Sequence, residues 1–141
     1  MGRPVSIKIA AFGWIAAAIV DLIATTVSYA FRSSLIAIPG DQVAFMFRYF
    51  AADILTMVFS ARMLDKQSWA RAALVITSAT MMVFTLVSFS SIAQLFELGY
   101  TGMAAVGLLL AIAYIGLILM AIAFAYRAPS SAFLNNSKFK A

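Results

Sequence analysis

The chain has 141 residues, of which 65% are hydrophobic and only 11% charged, with a formal net charge of +5. A soluble domain carries about 25% charged residues, so the composition points to a single-domain, all-α integral membrane protein. It has no cysteine and no histidine, which removes disulfide frameworks, zinc–thiolate and iron–sulfur sites, histidine-ligated haem and the commonest general base.

A stretch of about 20 mostly apolar residues crosses roughly 30 Å of hydrocarbon. Four such stretches follow one another: about Ile9–Phe31, Val43–Ala61, Trp69–Ile92 and Thr101–Tyr126. The expected architecture over residues 1–126 is therefore an antiparallel bundle of four transmembrane helices. The breaks are polar. Arg32–Gln42 carries Pro39-Gly40, a turn signal; Arg62–Ser68 is mixed in charge; Ala93–Gly99 holds Glu97, expected to be solvated. Residues 127–141 read as a polar, flexible tail. Ser28-Tyr29-Ala30 resembles a signal-peptide cleavage site, but Asp21 interrupts the apolar run that such a leader needs, so the first span is expected to stay.

Lysine and arginine are unevenly shared between the two sides. Arg3, Lys8, Arg62, Lys66, Arg71, Arg127, Lys138 and Lys140 would fall on one side, and Arg32 and Arg48 on the other. The positive-inside rule then places both termini in the cytoplasm of a cell whose plasma membrane holds the protein. This placement accounts for the net positive charge without a nucleic-acid partner. Trp69 and Tyr126 suit the inner aromatic belt and Tyr100 the outer one.

The spans contain charged residues. An ionisable side chain near the bilayer centre costs at least ~2.5–3.5 kcal/mol and turns toward protein or water. Asp21, Thr25, Ser28 and Arg32 recur at helical spacing on one face of the first span, and Tyr49, Asp53, Thr56 and Ser60 on one face of the second. Ser78, Thr85 and Ser88 make a weaker stripe on the third. Asp21 and Arg48 are expected at nearly the same depth on antiparallel neighbours, which suggests an ion pair. Asp53, about 140° around the helix from Arg48, is expected to be the unpaired one. The Ser/Thr stripes read first as interhelical glue.

On the fourth span Gly107, Ala111, Gly116, Ala121 and Ala125 are small enough to let another helix approach closely, inside the bundle or on a partner subunit. The eight methionines read as core filler. A short echo relates Thr25-Thr26-Val27-Ser28-Tyr29 to Thr85-Leu86-Val87-Ser88-Phe89, sixty residues on.

The stretch Ala18-Ile19-Val20-Asp21-Leu22-Ile23-Ala24-Thr25-Thr26 resembles the first helix of the small multidrug-resistance transporters, over about nine residues. The resemblance implies a coupling carboxylate at Asp21. That family has glutamate there, is shorter and has no charge equivalent to Arg48, and no family membership is assigned on this stretch.

Two functional readings follow. The first is a non-catalytic accessory subunit of a larger membrane complex, since the sequence offers no cofactor ligands, no nucleophile–base set and no sizeable domain in water. The second is a proton- or cation-coupled small transporter or channel in which Asp21 and Asp53 handle the ion. An enzyme acting on lipid or quinone would need an acid–base constellation that does not stand out. No cofactor or metal is expected. The expected partners are bound membrane lipids and other membrane subunits or further copies of the chain.

Overall fold

A computed structural model describes residues 2–35 and 40–135, with the side chains of residues 32–45 and 48 outside the described set. Five helices follow in order: α1 Val5–Leu35, α2 Gly40–Leu64, α3 Ser68–Glu97, α4 Thr101–Ala125 and α5 Ala128–Asn135. The first three overrun the apolar stretches that predict them, at both ends. The turn expected at Pro39-Gly40 falls partly outside the described residues.

Among the described residues, three helices are long and apolar enough to cross a membrane: Val5–Phe31 within α1, Ser68–Glu97 and Thr101–Ala125. Large apolar side chains such as Ile76, Val83, Leu86, Leu109, Ile112 and Leu119 stand exposed on α3 and α4. Water would not tolerate such a surface, whereas acyl chains would cover it. These features fit a small membrane protein.

The turns explain where the helices stop. After α3 the chain makes a Schellman motif: Tyr100 N–H reaches Leu95 O at 2.9 Å and Gly99 N–H reaches Phe96 O at 3.1 Å. Gly99 sits at φ +84°, a left-handed conformation that a residue without Cβ takes freely. After α2 the same motif recurs, with Gln67 N–H on Arg62 O and Lys66 N–H on Met63 O, both at 3.2 Å. Here Lys66 occupies the left-handed position at φ 64°.

Consecutive helices are antiparallel neighbours, and α1 also packs along α4, which closes a four-helix ring. α1 and α4 have the most extensive contact, because both present small side chains. Ile7, Ala10, Ala11, Trp14, Ala17 and Ala18 are buried on α1; Ala111, Tyr114, Ile118, Ala121 and Ala125 are buried on α4. A Cβ on Gly13 would lie 3.1 Å from Ala121 Cβ and 3.2 Å from Met120 Cε. α1 and α3 lie diagonally opposite and run the same way, and the Trp14 indole spans the diagonal, donating to Ser78 Oγ at 2.8 Å.

The core is one-ended. On α1 no described residue beyond Ala18 is buried, and on α3 none beyond Met81. The end that holds the N-terminus is solid, with Trp14, Met63, Leu74 and Ile118 at its centre. The tail expected to be flexible instead forms α5 across this end. Phe133 and Leu134 supply an apolar face that is buried. Ser130 Oγ donates to Phe124 O at 2.8 Å and lies 2.7 Å from Ser6 Oγ. Arg71 Nη1 reaches Ser131 Oγ at 3.1 Å and Ala125 O at 3.3 Å, with its guanidinium 4.5 Å from the Tyr126 ring centre.

Candidate functional site

The other end of the bundle is hollow. A cavity of about 490 Å³ lies between α1, α3 and α4, with Met46 and Tyr49 of α2 on its edge. Asp21, Thr25 and Ser28 line it from α1, and Thr85, Ser88 and Ser91 from α3. Tyr114 and Ala111 stand on α4 at the depth where buried packing resumes. Phe31 and Tyr100 line its far end and meet edge-to-face, with ring centroids 5.4 Å apart.

The register of the two long walls follows from the Trp14–Ser78 hydrogen bond. α1 and α3 run parallel, so seven residues further along each helix bring Asp21 level with Thr85, roughly 10 Å above that bond. Seven residues are close to two turns, so Asp21 and Thr85 point the same way as Trp14 and Ser78, into the bundle. The sequence echo acquires a meaning here. Thr25 and Ser28 line one wall, and their counterparts Thr85 and Ser88 line the other.

At the inner end of the cavity Asp21 meets Asp53. The two carboxyl groups lie within hydrogen-bonding reach of each other. Asp53 is 2% exposed. Among the described residues, Asp21 Oδ2 and Asp53 Oδ2 are buried without a hydrogen-bond partner. Tyr114 is within electrostatic reach of both carboxyls, and Tyr49 of Asp21. The expected Asp21–Arg48 ion pair rests on a side chain outside the described residues. Asp53, expected to stand alone, has Asp21 as its neighbour.

The other predicted residues divide between two roles. Thr56 Oγ1 donates to Ala52 O at 2.9 Å and Ser60 Oγ to Thr56 O at 2.7 Å. Thr85 Oγ1 donates to Met81 O at 2.9 Å and Ser88 Oγ to Thr85 O at 2.6 Å. These hydroxyls bond within their own helices, not across to a neighbour, as Ser and Thr do when the i−4 carbonyl is in reach. Of the small residues on α4, Ala111, Ala121 and Ala125 are buried inside the bundle. Gly107 backs the cavity, where a Cβ would meet Ile92 Cγ1 at 3.5 Å. Gly116 faces outward, with nothing within 4 Å of a Cβ.

Sequence reasoning passes over three residues of this region. Trp14 lies beneath the cavity, and its signal is an indole N–H in an apolar span, which needs a buried acceptor. Tyr114 sits mid-span, far from either aromatic belt. Gly13 carries no local signal, because its importance lies wholly in Ala121 opposite. No family model matches the chain, and no curated protein or solved structure matches it significantly.

Proposed function

We propose that the protein is a small plasma-membrane transporter of four spans, with both termini cytoplasmic, that couples passage of a solute to a proton or cation held by Asp21 and Asp53. The observation that supports this most directly is the cavity itself: one half of the bundle hollow, the other packed, with a carboxyl pair where the two meet. α2 joins the spans because its polar side chains Asp53, Thr56 and Ser60 are buried, while Ile54, Leu55 and Val58 on its outer face are exposed and apolar. Orientation follows from charge. Arg3, Lys8, Arg62, Lys66, Arg71 and Arg127 belong to the solid end, which makes that end cytoplasmic and the cavity outward-facing.

The chemistry is an exchange. With the cavity empty, the facing carboxyls share a proton. A cationic solute arriving from outside supplies the positive charge instead, and the proton leaves to the outer solution. Return requires the reverse order, so the two charges compete for one site and cross the membrane in opposite directions. Opening toward the cytoplasm requires the layer of Trp14, Ser78 and the α1–α4 contact to part.

A liposome assay tests this. Reconstituted wild type is expected to carry a pH-dependent flux that Asp21→Asn and Asp53→Asn each abolish; flux no greater than that of empty liposomes overturns the proposal. The accessory-subunit reading retains one favourable observation, the outward Gly116 face of α4, where a partner helix would find room. Gentle purification from native membranes separates the two: stoichiometric recovery with a larger complex supports the subunit, and a lone homo-oligomer the transporter.

A further inference from the structure

The walls of the cavity show what kind of cation it would hold, an inference that rests on the transport proposal. A hydroxyl has one hydrogen. Thr85 Oγ1 has committed its hydrogen to Met81 O, and Ser88 Oγ to Thr85 O. What these two groups turn toward the cavity are lone pairs. Asp21, level with Thr85 on the opposite wall, brings its carboxyl group to the lining. Asp53 lies buried behind it. Tyr49 and Tyr114 bring phenol groups to the same lining, each with one hydrogen to give, yet the lone pairs of Asp21, Thr85 and Ser88 outnumber these hydrogens, so the site has room for a further donor.

The apolar lining calls for carbon. Tyr49 and Phe84 meet edge-to-face, with ring centroids 5.7 Å apart, and both line the cavity. Ring faces attract a cation and pack against aliphatic or aromatic carbon. Size decides against a bare metal ion. At about 490 Å³ the space is many times the ~10–15 Å³ that a cavity needs to hold one water, and far more than a single dehydrated ion fills.

We infer that the cavity binds a protonated primary amine with an apolar or aromatic body. The ammonium directs its N–H bonds at Asp21, Thr85 Oγ1 and Ser88 Oγ, and the body lies against Tyr49 and Phe84. A quaternary ammonium has the charge but no N–H to give, a neutral alcohol has a donor but no charge, and a carboxylate is repelled by Asp21. The site therefore ranks ligands by hydrogen-bond donation as well as by charge.

The test uses the full chain in detergent and isothermal titration with four probes: 2-phenylethylammonium, its N,N,N-trimethyl analogue, 2-phenylethanol and phenylacetate. The primary ammonium is expected to bind at least 10-fold tighter than the trimethyl analogue and the alcohol, with no binding of the acid. The pair Thr85→Val and Ser88→Ala is expected to weaken the primary ammonium about 10-fold and leave the trimethyl analogue unchanged. Equal binding of the ammonium and its trimethyl analogue overturns the inference, as does absence of binding by the primary ammonium. The wild-type series decides the matter even if the double variant fails to fold. Binding without flux would remove the transport proposal and leave the ligand class standing; flux without binding of these amines would do the reverse.

Discussion

The hydrogen bond from Trp14 Nε1 to Ser78 Oγ offers a clean test of how the solid end is held together. The bond is 2.8 Å long, and its partners are 0% and 2% exposed. Ser78→Ala removes the acceptor and leaves the indole N–H without one. An orphaned buried donor costs about 1–3 kcal/mol in water-soluble proteins. Interhelical bonds in membranes measure lower, about 0.6 and up to about 1.7 kcal/mol, because helices separated in lipid find other partners. Full burial on both sides places this bond near the upper figure, so we expect about 1–2 kcal/mol. Trp14→Phe costs more, since it also empties part of a fully buried site. The decisive quantity is the coupling. In the Trp14→Phe background no N–H remains to be orphaned, so Ser78→Ala should there be close to neutral. Detergent-titration unfolding followed by helical circular dichroism measures all four corners of the cycle. An equal cost of Ser78→Ala in both backgrounds would refute the bond as a source of stability.

Three further outcomes follow from the same packing. Gly13→Val should destabilise by about 1–3 kcal/mol, because the first Cβ atom already lies 3.1 Å from Ala121 Cβ and the branch has nowhere to go; a loss under about half a kilocalorie in the same titration would mean that α1 and α4 are not in this close contact. Gly99→Ala should cost about 1–2 kcal/mol for the left-handed φ of +84°, whereas at Lys66, already left-handed at φ 64°, Lys66→Gly relieves that strain and offsets the lost contact of Lys66 Nζ, 5.1 Å from the Phe133 ring centre, worth about 0.5–1 kcal/mol, so it should be close to neutral; thermal melts that show Gly99→Ala no more costly than Lys66→Gly would contradict the two turns. Arg71→Gln should loosen α5, since Arg71 holds Ser131, Ala125 O and the Tyr126 ring together; the expected readout is faster tryptic cleavage after Arg127, and an unchanged rate would show that α5 is held without Arg71.

Much of the site is legible in the sequence, though its assembly is not. Periodicity places Asp21, Thr25 and Ser28 on one face and Asp53, Thr56 and Ser60 on another, and each set does turn inward. Which carboxyl meets which partner depends on how far each helix is rotated about its axis. That rotation is set by many small contacts on the opposite face, such as Gly13 against Ala121, and no single residue announces it. Depth along the helix makes Asp21 and Arg48 level, but depth alone is blind to rotation. The tail illustrates the same limit. Ala-Pro-Ser-Ser-Ala-Phe-Leu is too short and too polar to signal a packed helix, and only the apolar core at the solid end of the bundle beneath it gives Phe133 and Leu134 something to cover.

What the sequence determined alone is the solvent. Sixty-five per cent apolar residues in long runs can be stabilised only by lipid, and backbone groups in lipid must bond within helices. What tertiary structure decided is where the bundle is solid and where it is hollow. Alanine and glycine on α1 and α4 let one half close around Trp14, while toward the other end α1 and α3 bury no described side chain. The distance between two helices depends on side chains from both, and no reading of one segment contains it.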